Sequence, residues 1–196
     1  MRNRPYMRKD VLFRRGMHAL IALTPLYFAL PVELPVEPLR RWMLLVGFFA
    51  IVSVFEVIRL WKGITFFGLR PHEKYQIASF AWAAAGVTLL LWLFPEDIAS
   101  GALVAMALVD PLAGELRASK IKDSVTISAS LIAYFALFFV ICALVGDRGL
   151  VVCISLAVVG SAVAIPSEWV EVRYVDDDFL MLVLPALAMT VLSYLL

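Results

Sequence analysis

Long apolar stretches, separated by short polar segments, follow one another along almost the whole chain. Each stretch is close to the roughly 20 residues that an α-helix needs to cross the hydrocarbon core of a bilayer. The pattern predicts seven helices, covering about 16–31, 39–61, 76–94, 98–116, 125–145, 149–166 and 179–196. We therefore expect an all-α, polytopic integral-membrane protein with about seven transmembrane helices.

The composition agrees with a membrane protein. Hydrophobic residues make up 63% of the chain, whereas a soluble domain is roughly 45–50% apolar. No internal repeat, low-complexity stretch or linker divides the chain, so we expect a single domain over residues 1–196. Cys142 and Cys153 both lie in apolar stretches. Because of these apolar surroundings, they are predicted to be small buried side chains. Their spacing indicates neither a disulfide nor a metal site.

The basic residues are distributed unevenly over the two sides of the predicted helices. Of the 17 Lys and Arg residues, only Arg40, Arg41 and Arg148 fall in loops on one side, and the other fourteen fall on the opposite side. Cytoplasmic loops carry such an excess of Lys and Arg. We therefore expect a cytoplasmic N-terminus, in the cell membrane of a prokaryote or the endoplasmic reticulum membrane of a eukaryote.

Most polar residues of unusual type fall on the predicted cytoplasmic side. They are His18, Glu56, Arg59, His72, Glu73, Asp110, Glu115, Lys122, Glu168, Glu171 and Asp176–Asp178. The outer loops hold few polar groups besides Glu33, Glu37, Glu96, Asp97 and Asp147. This one-sided distribution indicates a single polar site at the inner leaflet, and it argues against a transport path through both leaflets.

Asp110 lies near the end of the fourth predicted helix and is followed by Pro111. An ionised Asp near hydrocarbon costs several kcal/mol, roughly 2.5–3.5 at a helix centre, so it usually has a partner. Proline is tolerated at a first helical position. The pair therefore predicts a broken helix, with Asp110 as the N-cap of a new short helix. The alternative is an ordinary helix-stop pair.

The segment after Asp110 has the composition of a phosphate site. Small residues allow a ligand to approach the backbone closely, and cations bind phosphate oxygens. The residues concerned are Ala113, Gly114, Arg117, Lys120 and Lys122. The alternative is that these cations only set the membrane topology.

Two further candidates lie on the first two helices. His18 follows a pair of arginines, and it is interpreted either as an interfacial histidine or as a group that contacts phosphate or handles a proton. Glu56 and Arg59 are three residues apart, so they share a helix face and can pair. The alternative is that the two residues neutralise each other in an interfacial ion pair and have no further role.

Three consecutive acids precede the last predicted helix, at Asp176, Asp177 and Asp178. Adjacent carboxylates repel one another unless a cation lies among them, and Mg²⁺ usually bridges one or two carboxylates to substrate phosphates. Asp110 together with Asp176–Asp178 is therefore predicted to hold a metal-bound phosphate between two helices. Solvated loop acids are the alternative.

Several common nucleotide and catalytic motifs are absent from the sequence. It contains no Walker A loop, dinucleotide-binding glycine fingerprint, nucleophile elbow or zinc-ligand set. Any nucleotide site must therefore be of a less common type.

The order of the polar segments resembles the CTP-dependent lipid kinases, which include dolichol kinase, phytol kinase and the CTP-using diacylglycerol kinase and are related to the phosphatidate cytidylyltransferases. The matching segments are Arg14-Arg15-Gly-Met-His18, Glu56 to Arg59, Arg70-Pro-His-Glu73, Val109-Asp110-Pro-Leu-Ala113-Gly114, Lys122-Asp-Ser124 to Ser128, Glu168 or Glu171, and Asp176-Asp177-Asp178. The chain departs from the family pattern at Val109, where the family has Gly, and at Asp178, where it has Asn. It also lacks the glycine that follows the family's lysine.

The resemblance implies transfer of the γ-phosphate of CTP to a lipid alcohol such as dolichol or another polyprenol, with Mg²⁺. It implies catalytic roles for Asp110, His18, Glu56 and Arg59 and metal ligands at Asp110, Asp176 and Asp177. The nucleotide would contact Ala113, Gly114, Arg117, Lys120, Lys122 and Ser124. No nucleic-acid partner is expected. The sequence does not decide between CTP and ATP as the phosphoryl donor, and it does not indicate the oligomeric state. The alternatives are a cytidylyltransferase that makes a CDP-lipid, and an inactive or transport relative.

Overall fold

The computed structural model describes residues 8–35, 39–170, 172 and 174–196, and this part of the chain is helical and contains no β-strand. The helices are α1 Arg8–Leu23, α2 Arg41–Lys62, α3 Ser79–Leu93, α4 Glu96–Ala118, α5 Asp123–Val145, α6 Leu150–Ser167 and α7 Asp177–Ser193. Two short 3-10 segments cover Thr24–Ala29 and Pro71–Lys74. Glu171, Arg173 and the side chain of His72 lie outside the described residues.

The predicted helices all occur in the described part of the chain, and the bounds of α4, α5 and α6 are within two residues of the prediction. The first helix differs from the prediction. It begins earlier, at Arg8, and its α-helical part ends at Leu23, before the 3-10 segment that contains Pro25. The Thr24 hydroxyl donates a hydrogen bond to the Ile21 carbonyl at 2.7 Å, and Pro25 has no N–H with which to continue the α-helical pattern.

Four helices, α2, α4, α5 and α6, are long and apolar enough to cross a membrane. The other three described helices are shorter, with 16 residues in α1, 15 in α3 and 17 in α7. The first residues of α1 are Arg8, Lys9 and Asp10, so only part of this helix is apolar. The structure therefore supports a helical membrane protein, and four of the seven predicted spans meet the length and hydropathy expected of a membrane helix.

The α4 helix lies at the centre of the bundle and packs against α1, α5 and α7. Of its most apolar stretch, 67% is buried, compared with 17% for α2, which packs mainly against α3. Gly101 allows the close approach of α5, because a Cβ atom at this position would lie 2.6 Å from the Phe138 ring. Small residues at such crossings let membrane helices pack at short distance.

The predicted helix break at Asp110 does not occur. The α4 helix is continuous from Glu96 to Ala118, and Pro111 lies inside it. An internal proline costs about 3 kcal/mol because one backbone hydrogen bond is lost. The residues on either side, Val109 and Ala113, are fully buried, so tertiary packing holds the helix together across the proline. Asp110 is therefore not an N-cap, and its side chain projects from a continuous central helix.

Candidate functional site

His18 on α1 and Asp110 on α4 form a buried pair. His18 Nε2 lies 3.0 Å from Asp110 Oδ2, and the two side chains are 9% and 20% exposed. The other ring nitrogen, His18 Nδ1, is buried and has no hydrogen-bond partner among the described residues. Buried polar atoms without a partner are rare and costly. This nitrogen is therefore the group of the pair to which a ligand can bind.

Asp178, in the first turn of α7, adds a second carboxylate to this pair. One ligand atom from each of His18, Asp110 and Asp178 lies within 4.8 Å of the other two. Asp178 is 6% exposed, so its carboxyl group is largely withdrawn from water. Neighbouring buried carboxylates repel each other unless a cation or a proton lies between them. We call these three residues the polar cluster.

The polar cluster fits a magnesium ion by its donor chemistry. Mg²⁺ is usually held by one or two carboxylates, with waters and substrate phosphates at the remaining positions. Asp110 and Asp178 supply two carboxylates from different helices. The expected ligand set was Asp110, Asp176 and Asp177, and the structure instead groups Asp178 with Asp110. Asp176, Asp177 and Asp178 are also close enough to share one ion.

Asp176 has a clear structural role at the start of α7. It is the N-cap residue, and its Oδ1 accepts a hydrogen bond from the Asp178 N–H at 3.2 Å. Its Oδ2 lies 2.7 Å from the Ser79 hydroxyl oxygen. An Asp directly before an apolar helix is a strong N-cap signal. All three acids precede the apolar residues of α7 in the sequence, and only the structure distinguishes Asp176 from its two neighbours.

Arg70 is a functional candidate that the sequence indicated only as part of a loop motif. Its Nη1 lies 3.4 Å from Asp176 Oδ2 and 3.5 Å from Asp177 Oδ1. Burial lowers the pKa of Arg70, but the carboxylates of Asp176, Asp177, Asp178 and Glu73 raise it further, so the net pKa lies above its usual value. Arg70 is therefore a permanent positive charge beside the polar cluster. Its position depends on tertiary folding, since the neighbouring carboxylates come from α7.

Glu56 and Arg59 pair as predicted, but their polar groups are already used within the bundle. Arg59 Nε donates to Glu56 Oε2 at 2.6 Å and Nη2 donates to Glu56 Oε1 at 2.7 Å. The guanidinium also donates to the carbonyls of Glu73 and Gln76, and Glu56 Oε1 accepts from the Ala78 N–H. We call this arrangement the α2 anchor. It attaches α2 to the segment that leads into α3, and it does not place either side chain in the polar cluster.

The α2 anchor is linked to the polar cluster through Glu73 and Ser79. Glu73 is 3% exposed, and its Oε1 accepts hydrogen bonds from the backbone N–H and the hydroxyl of Ser79. The same hydroxyl contacts Asp176. This network holds the loop before α3 against the start of α7, and thus fixes the surroundings of Arg70.

Arg117, a predicted phosphate ligand, contacts side chains within the bundle. Its guanidinium forms an ion pair with Glu168 and lies 5.8 Å from the ring centroid of Trp169. Arg15 forms a similar ion pair with Glu115. These contacts join the end of α4 to the end of α6 and to α1. Arg117 therefore stabilises helix packing, although it was predicted to bind phosphate.

The remaining predicted nucleotide contacts lie on or after the last turns of α4. Ala113 is buried against the core, whereas Gly114, Lys120, Lys122 and Ser124 are exposed. Lys120 adopts a left-handed backbone conformation with φ of 56° in the short connection to α5. None of these residues lines either of the two cavities that Arg70 borders.

An apolar cavity of about 280 Å³ opens from the polar cluster between α1, α2 and α3. Its wall consists mainly of hydrophobic side chains, among them Met17, Leu20, Ile21, Phe48, Phe80 and Ala84. Its polar end contains His18, Arg70, Glu73, Ser79 and Asp178. The cavity can therefore accept an apolar molecule with one polar end.

A second, polar cavity of about 380 Å³ lies beside Arg70. It is lined by Arg70, Gln76, Trp82, Glu168, Asp176 and Asp177, together with Ile77, Tyr174 and three valines. Arg70 borders both cavities. An apolar and a polar cavity therefore share one cation, with carboxylates close to it.

Comparison of the chain with protein-family models, with characterised proteins and with solved structures found no match.

Proposed function

We propose that this protein is an integral-membrane lipid kinase that transfers a phosphoryl group from CTP to a lipid alcohol, such as dolichol or another polyprenol, at the cytoplasmic face. The observation that carries the proposal is the meeting of an apolar and a polar cavity at Arg70. A kinase for a lipid needs such a pair of sites, because one substrate is hydrophobic and the other is highly charged. The choice of CTP follows from the sequence resemblance.

The lipid acceptor would occupy the apolar cavity with its hydroxyl group at the polar end. The wall residues come from α1, α2 and α3, and α2 is mostly unburied. A chain embedded in the membrane can therefore reach the cavity sideways, between α1 and α2. Because lipid tails are as apolar as the cavity wall, moving the chain from the bilayer into the cavity changes its free energy little. The polar end therefore supplies the selectivity, by hydrogen bonding to the hydroxyl.

His18 is suited to accept the proton of the lipid hydroxyl. Asp110 contacts Nε2 and fixes the orientation of the ring, which leaves the unpartnered Nδ1 for the substrate. The hydroxyl oxygen attacks the γ-phosphorus of the nucleotide, the bond to the β-phosphate oxygen breaks, and the hydroxyl proton moves to Nδ1. The products are the lipid phosphate and CDP. General-base catalysis of this type typically contributes about 10²–10⁴-fold to the rate.

The nucleotide would bind in the polar cavity with its phosphates directed towards Arg70. Phosphoryl transfer depends mainly on positioning and on stabilising the charge that spreads over the phosphate oxygens. Arg70 supplies a permanent positive charge for those oxygens. Bound Mg²⁺ would neutralise phosphate charge, and Asp110 and Asp178, which lie close together, would hold it.

The test is incubation of the purified chain in detergent with γ-labelled CTP or ATP and a mixture of lipid alcohols. The expected products are a labelled lipid monophosphate and CDP. A CDP-lipid and pyrophosphate from a lipid phosphate would instead identify a cytidylyltransferase. The Asp110→Asn variant should abolish most of the activity, whereas Glu96→Gln, at the exposed far end of α4, should retain it. Absence of any labelled lipid with wild-type protein would refute the proposal.

A further inference from the structure

Cys142 and Cys153 lie side by side at the end of the bundle that is remote from the polar cluster. Cys142 is near the end of α5 and Cys153 is near the start of α6. Their sulfur atoms are 3.0 Å apart, and both residues are fully buried as free thiols. They are close in space because the short connection between α5 and α6 makes the two helices antiparallel neighbours.

An ion pair holds this region in place. Arg148, in the connection between α5 and α6, binds Asp97 in the first turn of α4. The Cys142 sulfur lies 3.9 Å from Asp97 Oδ2, and the Cys153 sulfur lies 3.9 Å from the Arg148 carbonyl. Gly146 is close-packed against Asp97, since a Cβ atom there would lie 3.0 Å from the Asp97 Cβ. The thiols are thus fixed relative to three helices.

We propose that Cys142 and Cys153 form an intramolecular disulfide when the protein meets a disulfide oxidant. A disulfide bond is about 2.05 Å long, so the sulfurs need to approach by only about 1 Å from their separation of 3.0 Å. The distribution of Lys and Arg predicts that this end of the bundle lies on the side of the membrane opposite the cytoplasm. Disulfides form and persist in such oxidising compartments. The inference does not depend on the proposed phosphoryl transfer.

The reaction is a thiol–disulfide exchange with an oxidant that itself contains a disulfide. One thiolate of the pair attacks the oxidant, forms a mixed disulfide and releases the first thiol of the oxidant. The second thiolate then attacks the mixed disulfide, which forms the bond between Cys142 and Cys153 and releases the second thiol. Two electrons and two protons pass from the cysteines to the oxidant. The connection around Gly146 and Arg148 must open for the first step, because the sulfurs are buried.

The disulfide would join the end of α5 covalently to the start of α6, beside the Asp97–Arg148 ion pair. The loop between the cysteines is short, with a sequence separation of 11 residues. Closing such a loop restricts the unfolded chain and stabilises the folded state. The disulfide would therefore strengthen the outer end of the bundle without touching the polar cluster.

The test uses the full chain in detergent, incubated with excess oxidised glutathione, then acid-quenched, denatured and treated with a maleimide before mass measurement. Since the chain has only two cysteines, we expect no added maleimide before reduction and two after it. A peptide digest should show Cys142 linked to Cys153. Addition of one or two maleimides before reduction, or a glutathione adduct, would overturn the proposal.

Thermal unfolding supplies a second measurement. Reduction of the oxidised wild-type protein should lower its Tm by roughly 5–10 °C. The double variant Cys142→Ala/Cys153→Ala should show the same Tm with and without reductant. An equal response of both proteins to the reductant would also contradict the proposed disulfide.

Discussion

His18 Nε2 lies 3.0 Å from Asp110 Oδ2, and this contact joins the first helix of the bundle to the central helix. It orients the imidazole so that the unpartnered Nδ1 remains for a ligand. The pair thus has two separable properties, a contribution to helix packing and a ring nitrogen without a partner among the described residues. Substitutions that change one property and retain the other distinguish them.

Asp110→Asn should lower the rate of phosphoryl transfer by about 10²–10³-fold, because it removes a charge used in the transition state. The fold should be unaffected or slightly stabilised, since the change removes a negative charge close to Asp178 and near hydrocarbon. Initial rates and thermal unfolding check the two parts. Glu96→Gln is the control for loss of a carboxylate elsewhere on α4, at an exposed position. An Asn variant with the wild-type rate would rule out a catalytic role for Asp110.

His18→Ala should reduce kcat by roughly 10²-fold or more, because the proton acceptor is lost. Added imidazole should restore part of the activity by entering the space that the side chain leaves. The measurement is kcat against imidazole concentration, with Asp110→Asn as the variant that imidazole should not restore. Failure of imidazole to restore any activity to a folded His18→Ala protein would indicate that His18 only maintains the packing of α1 and α4.

Ala83→Leu tests the apolar cavity, because Ala83 lies on its wall and is only 8% exposed. Three additional carbons should fill part of the space and raise the KM for the lipid several-fold, with little effect on the KM for the nucleotide. The control is Ala50→Leu on the exposed surface of α2, which does not line the cavity. Equal changes in both KM values would show that the lipid does not occupy this cavity.

Arg59→Met should destabilise the protein by about 3–5 kcal/mol, because it leaves Glu56 as an unpaired buried charge. Adding Glu56→Gln should recover part of that loss. Activity should fall only with the folded fraction, since neither side chain belongs to the polar cluster. Lys62→Met, an exposed cation on the same helix, is the control. A fully folded Arg59→Met protein without activity would instead support the catalytic role expected from the sequence.

Glu168 should make the stability depend on pH. Burial raises its pKa above the usual value of 4.5, although the hydrogen bond from Arg117 lowers it. The folded state therefore binds a proton more tightly than the unfolded state does. This contribution to stability is present at acid pH and is lost as the pH rises through the folded-state pKa, with a slope of at most about 1.4 kcal/mol per pH unit.

Glu168→Gln should remove that component from the pH dependence of the unfolding free energy, whereas Glu96→Gln at an exposed position should leave it unchanged. Chemical unfolding at a series of pH values between 4 and 8, about the range in which such a group titrates, provides the comparison. Identical curves for wild type and Glu168→Gln would show that the ion pair with Arg117 cancels the effect of burial.

The sequence predicted the helices because their signal is local. Apolar stretches of membrane-spanning length identified α4, α5 and α6 to within two residues, and the i,i+3 spacing of Glu56 and Arg59 correctly indicated a pair. The signal is weaker where it competes with tertiary packing. Pro111 predicts a break on local grounds, but buried neighbours on both sides keep α4 continuous.

The composition of the site was harder to predict, because it depends on contacts between distant parts of the chain. Three adjacent acids are equivalent in the sequence, yet capping commits Asp176 to the start of α7 while Asp178 turns inward towards Asp110. Arg70 becomes prominent only when the loop before α3 packs against α7. The proximity of the two cysteines likewise follows from the antiparallel packing of α5 and α6.

The α2 anchor has a consequence for how this helix is retained in a bilayer. Lipid tails are as apolar as leucine side chains, so burying an apolar face against another helix yields little net free energy there. Hydrogen bonds from Arg59 to backbone carbonyls are different, because hydrocarbon offers them no substitute. The second helix is thus held at both ends, because Arg41 at its start also donates hydrogen bonds to the Phe28 and Leu30 carbonyls. Between these polar points only 17% of its apolar stretch is buried, so lipid can contact most of the helix without displacing it.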